Sequence, residues 1–105
     1  MTGLFALAVA SASTSAQGSY PKIEAYRICG IRVAARLERE RPGIAPDVLA
    51  RDATLRCEAV LGPAAEETLA RARQPQGRSQ VMADFRQRSI ADLAHKISTL
   101  RASKK

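Results

Sequence analysis

Cys29, Cys57 and His95 are the side chains of this sequence best suited to chemistry, as its only two thiols and its only imidazole. A structural zinc site takes four ligands, and no carboxylate stands at ligand spacing from these three residues. A cysteine nucleophile would need His95 beside it, yet His95 falls on the polar side of its helix, flanked by Asp92 and Lys96 at ordinary helical pairing distance. Covalent linkage suits the thiols better. Cys29 and Cys57 lie equally far in sequence from Gly43, and each lies in a segment with helical periodicity. The stretch from Cys29 to Arg41 would rise about 18 Å and the stretch from Pro46 to Cys57 about 16 to 17 Å. Folding back at Pro42-Gly43 therefore brings the two sulfurs level. Helices in contact at about 8 to 10 Å can bring Cα atoms within the roughly 4.4 to 6.8 Å that a disulfide needs. Closing a loop of about 29 residues would contribute roughly 3 to 4 kcal/mol. The alternative is a pair of free buried thiols packed as small apolar side chains.

Pro and Gly punctuate the elements that would position this pair. The first helix begins at Ser19-Tyr20-Pro21, with Ser19 or Tyr20 preceding a Pro in the favoured first position, and runs to about Arg41. Its apolar stripe is Ile23, Tyr26, Gly30, Val33 and Leu37, with Cys29 at the border. The second opens near Ala45-Pro46-Asp47 and presents Leu49, Ala53, Cys57 and Val60, widened by Val48, Leu55 and Leu61. Gly62-Pro63 reads as a break, with Gly62 as a left-handed cap and Pro63 opening a short third helix to about Arg73. In that helix Glu66 and Glu67 stand in the first turn and Arg71 and Arg73 in the last, complementing the helix dipole. Gln74-Pro75-Gln76-Gly77 is a linker. The last helix, from Ser79 or Gln80 to about Ala102, places Met82, Phe85, Leu93, Ile97 and Leu100 in one arc. At about 33 Å it outruns either arm of the hairpin, so its end projects, frays or meets another chain. Ser103 to Lys105 is expected to be a disordered tail. The expected fold is all-α: a disulfide-stapled antiparallel hairpin packed against a long C-terminal helix, with a short connecting helix.

Size and composition set the energetic frame. The chain has 105 residues, 46% of them apolar but only 4% aromatic, so the core of one small domain, residues 20–102, must be built from Leu, Ile, Val and Ala. A staple compensates for contacts that each bury little surface. The apolar run Leu4 to Ala10, followed by Ala10-Ser11-Ala12 and Thr14-Ser15-Ala16 as small-x-small cleavage sites, reads as a signal peptide over residues 1–16, although Met1-Thr2-Gly3 lacks the usual Lys or Arg. No segment approaches the roughly 20 apolar residues of a membrane-spanning helix.

Charge points to a partner. The formal net charge is +7, and residues 71–105 supply all of it: Arg71, Arg73, Arg78, Arg86, Arg88, Lys96, Arg101, Lys104 and Lys105 against Asp84 and Asp92. A basic helix can meet an acidic protein, an anionic envelope surface or nucleic-acid phosphates; it can also be a merely solvated face. Nucleic acid is an open partner that nothing specific favours, since there is no zinc-finger spacing, basic-zipper heptad or aromatic stacking set. No catalytic pattern appears, no phosphate-binding glycine loop stands in the chain, and no cofactor is expected.

Tyr26, Cys29, Ala34 and Leu37, followed by a helix ending around Cys57, resemble small exported bacterial proteins of unknown function built on a cystine-linked helical hairpin, over about residues 20–61. The resemblance implies export and a staple, and no activity. Three functions are therefore expected, in descending order. The first is a non-enzymatic periplasmic or secreted binding protein acting through the basic last helix. The second is a cytosolic or organellar nucleic-acid-associated protein with reduced cysteines. The third is a structural subunit docked through the last helix.

Overall fold

The computed structural model describes residues 20–71 and 77–104. They form four α-helices: α1 (Pro21–Glu40), α2 (Pro46–Arg56), α3 (Leu61–Arg71) and α4 (Arg78–Ser103), with a 3-10 turn, Glu58–Val60, between α2 and α3. The expected all-α hairpin packed against a long last helix is the observed fold. Residues 1–19, which include the expected signal peptide, and most of the 74–77 linker lie outside the described residues.

Backbone chemistry sets the hairpin. Pro21 and Pro46 open α1 and α2, where a missing N–H costs no hydrogen bond. Gly43 turns the chain at φ 91°, a left-handed conformation that a side chain would strain. The Cys29–Cys57 disulfide, with Cα atoms 6.0 Å apart, and the Arg41–Asp52 ion pair cross between the two arms at different heights, so α1 and α2 run antiparallel. Asp52 also pairs with Arg56 at 3.0 Å. On α4, Thr54 meets Ser89 and Glu58 meets Arg86, which makes α4 antiparallel to α2. Tyr26 meets Phe85 and Glu38 meets Arg101, so α1 and α4 run parallel.

Two clusters make the core. Ala34 and Leu37 of α1, Leu49, Ala50 and Ala53 of α2, and Leu93 and Ile97 of α4 form one. Tyr26, Cys57, Leu61 and Ala64 form the other, under the corner between α2 and α3, with Met82 and Phe85 packed against it. The Tyr26 and Phe85 rings meet edge to face with centroids 5.6 Å apart. Small residues let the helices close. A Cβ on Gly30 would stand 3.2 Å from Leu93 Cδ1, so the missing side chain of α1 leaves room there for Leu93 of α4.

Several expectations need correction. The break falls at Cys57, which ends α2, and not at Gly62-Pro63. Gly62 is helical, and Pro63 sits within the first turn of α3, where N–H groups have no intrahelical acceptor anyway. Val48 and Leu55, expected on the inner stripe of α2, are exposed, and Ala50 and Thr54 are buried in their place. Short side chains on that arc let α2 lie close to both α1 and α4. Val81 is a buried residue of α4 that the expected arc omitted, whereas Leu100, which the arc included, is 60% exposed. The last helix continues through Ser103, whose hydroxyl donates to the Leu100 carbonyl, and Lys104 caps it rather than belonging to a disordered tail.

Candidate functional site

The thiols and the imidazole do not meet. Both cysteines are consumed in the disulfide, and no free cysteine occurs among the described residues. His95 is exposed on α4, as expected. Among the described residues no group of three His, Cys, Asp or Glu side chains could hold a metal ion, and no helix is long and apolar enough to cross a membrane.

Fewer of the basic residues 71–105 are free than their number suggests. Arg86 grips Glu58 through two hydrogen bonds of 3.0 and 2.8 Å, and Arg101 grips Glu38 through two of 2.8 and 2.6 Å. Such forked pairs are the strongest geometry available to Arg. Each holds its carboxyl below the ordinary carboxylate range, chiefly by donating hydrogen bonds to it, and each guanidinium is raised in turn. Arg78 pairs with Glu66 at 3.1 Å. Arg71 stacks its guanidinium over the Tyr20 ring, 4.5 Å from the centroid. Arg73 and Lys105 lie outside the described residues. Arg88, Lys96 and Lys104 have no acidic partner within salt-bridge distance among the described residues.

The two acids expected to serve the dipole of their own helix act elsewhere. The Glu67 carboxylate accepts hydrogen bonds from the backbone N–H groups of Lys22 and Ile23, at 3.0 and 2.9 Å, and so caps α1 from another helix. Tyr20, at the cap position itself, supplies no side-chain acceptor. Glu66 is the partner of Arg78.

The remaining cations border a trough. Two adjoining cavities of about 440 and 320 Å³ share Ile31, Leu93 and Lys96, and every residue lining them belongs to α1, α4 or the α4 cap. The floor is apolar, from Ile23 and Phe85 at one end through Ile31, Ala34 and Leu93 to Leu100 at the other. Arg88, Lys96 and Lys104 stand along the α4 side, and Arg39 rises from α1. The place of Arg39 on this rim follows from the parallel pairing of α1 with α4, which no local pattern encodes. Asp92 is the one lining acid without a basic partner in salt-bridge range among the described residues, since the other, Glu38, is held by Arg101.

No family model, curated protein or solved structure matches this chain. Among the described residues the trough combines an open apolar floor with a cationic rim, and the Ser89 hydroxyl on its wall is hydrogen-bonded to Thr54.

Proposed function

We propose that this protein is an exported, non-enzymatic binding protein that presents the basic side of α4 to an acidic protein or an anionic envelope surface. One observation carries the reading: among the described residues Arg88, Lys96 and Lys104, joined by Arg39, have no acidic partner in salt-bridge range along the same open apolar trough, while Arg78, Arg86 and Arg101 are paired with Glu66, Glu58 and Glu38. Unpaired cations beside exposed apolar surface are the combination that recognises an amphipathic anionic partner. The disulfide supports the compartment, since such bonds persist in oxidising surroundings, and the apolar run with small-residue sites over residues 4–16 supports a cleaved leader. The same bond disfavours a cytosolic role with reduced cysteines.

Two measurements test the proposal. The mass of the chain recovered from its native host should correspond to a start near Ser13 or Gln17, lighter by two hydrogens than its reduced form. An uncleaved chain with two free thiols contradicts export. In binding assays the oxidised protein should retain polyglutamate or phosphatidylglycerol vesicles at low salt and release them as salt rises. Tighter retention of nucleic acid than of either probe would favour the nucleic-acid-associated role instead.

A further inference from the structure

The trough lies on the side of α1 and α4 that neither α2 nor α3 covers. On the covered side α2 nests between the pair through Leu49, Ala50 and Ala53, against Ala34, Leu37, Leu93 and Ile97. Two parallel helices thus offer two grooves, and the chain fills one of them with a helix of its own.

We propose that the second groove receives an acidic amphipathic α-helix of a partner protein, with its apolar stripe on Ile31, Leu93 and Leu100 and its carboxylates against Arg39, Arg88, Lys96 and Lys104. This rests on the binding function proposed above and names the occupant. The length of the groove suits a helix: from Ile23 to Arg39 along α1 it runs about 24 Å, or about 16 residues of helix. The floor supplies half-buried Ile23, Phe85 and Ile31 and exposed Leu100, with Ala34 and Leu93 buried beneath them, and such spaced apolar seats are how grooves read helical partners. Leu100, 60% exposed at one end, is the seat with the most surface to gain.

Charge selects among occupants. A second copy of this chain would set the same cations opposite one another and is disfavoured. An acidic helix cancels them. A flat headgroup surface would touch the helix ridges and miss the concave floor, leaving the apolar seats wet. Among the described residues nucleic acid would find no exposed aromatic platform in the trough, because Tyr26 is buried, Phe85 lies against it, and exposed Tyr20 is outside the lining.

The test uses the full oxidised chain and two synthetic 16-residue peptides, each with one stripe of Leu at helical spacing, one flanked by Glu and the other by Lys. Fluorescence anisotropy should show at least tenfold tighter binding of the Glu peptide, with a gain of peptide helicity in circular dichroism. Leu100→Asp and Lys96→Glu, both at exposed positions, should each weaken it at least fivefold, and Arg51→Glu, exposed on α2 outside the trough, should leave it unchanged. Equal binding of the two peptides, or equal weakening by Arg51→Glu, overturns the proposal. If phosphatidylglycerol vesicles or polyglutamate bind through Lys96 while the Glu peptide does not, the helical occupant is wrong and the binding function stands. If no acidic probe binds, both are wrong.

Discussion

Opening the disulfide should cost this fold more than any other change of comparable size. Cys29 and Cys57 are 28 residues apart, and releasing a loop of that length returns roughly 3 to 4 kcal/mol of conformational freedom to the unfolded chain. A domain this small has a total stability of only about 5 to 15 kcal/mol. Each kcal/mol corresponds to about 4 to 8 °C in a domain of 60 to 100 residues, so the melting temperature should fall by about 12 to 32 °C. The bond also holds a structural corner: Cys57 ends α2, is buried beside Tyr26 and Leu61, and leads into the 3-10 turn. Replacement by Ser at position 57 would add a buried hydroxyl without a partner, so the clean comparison is oxidised protein, reduced protein and the Cys29→Ala/Cys57→Ala double variant. Thermal melts by circular dichroism, with redox state checked by mass, make the measurement. The reduced protein and the double variant should melt within a few degrees of each other and far below the oxidised form. A reduced protein melting within about 5 °C of the oxidised one would refute the loop-entropy reasoning.

Three further perturbations probe the packing and the ion pairs. Among the described residues the buried Tyr26 hydroxyl has no partner at good hydrogen-bond geometry, although the Ser89 hydroxyl, bonded to Thr54 at 2.8 Å, lies near it with a lone pair to spare, and burial pushes the phenol pKa up. Tyr26→Phe should therefore melt at the same temperature or higher, and a fall equivalent to more than about 1 kcal/mol would show that the hydroxyl has a partner. Gly30→Val should destabilise by about 1 to 3 kcal/mol in urea titration, because branched carbons would press on Leu93, already 3.2 Å from a Cβ at that position; an unchanged midpoint would contradict the close approach of α1 and α4. The carboxyls of Glu38, Glu58 and Asp52 are depressed in the folded state by hydrogen bonds from Arg101, Arg86 and Arg56 respectively. Their contribution is present above the ordinary carboxylate range and lost as pH falls through the folded values, so the melting temperature should hold from about pH 7 to pH 5 and decline toward pH 3. A flat profile to pH 3 would show that these pairs add nothing.

The hairpin was legible because Pro21, Pro46 and Gly43 restrict the backbone locally, and because the cysteines lie symmetrically about the turn. The α2–α3 corner was not. Gly62-Pro63 has the composition of a break, yet a proline in a first turn costs nothing, and the pull that ends α2 at Cys57 is tertiary, exerted by the staple and the Tyr26 cluster. Large apolar side chains misled the reading of α2, since Leu55 is outside and Thr54 inside, where it bonds Ser89. The basic face was half legible. Counting charges located an excess in residues 71–105, but Glu38, Glu58 and Glu66 fold back onto Arg101, Arg86 and Arg78, so sequence-local charge is not surface charge. The α1 contribution to the rim, Arg39, depends on helix pairing and had no signal of its own.

The claim that the trough-side cations of α4 carry recognition is tested most directly by paired charge reversals titrated calorimetrically with one acidic probe, polyglutamate. Lys96→Glu/Lys104→Glu removes two rim cations, and Arg32→Glu/Arg51→Glu makes the same change in net charge at exposed positions outside the trough. The rim pair should lower the affinity at least tenfold and the control pair less than threefold. Equal losses from both pairs would mean that net charge alone attracts the probe, and the trough would not be the binding site.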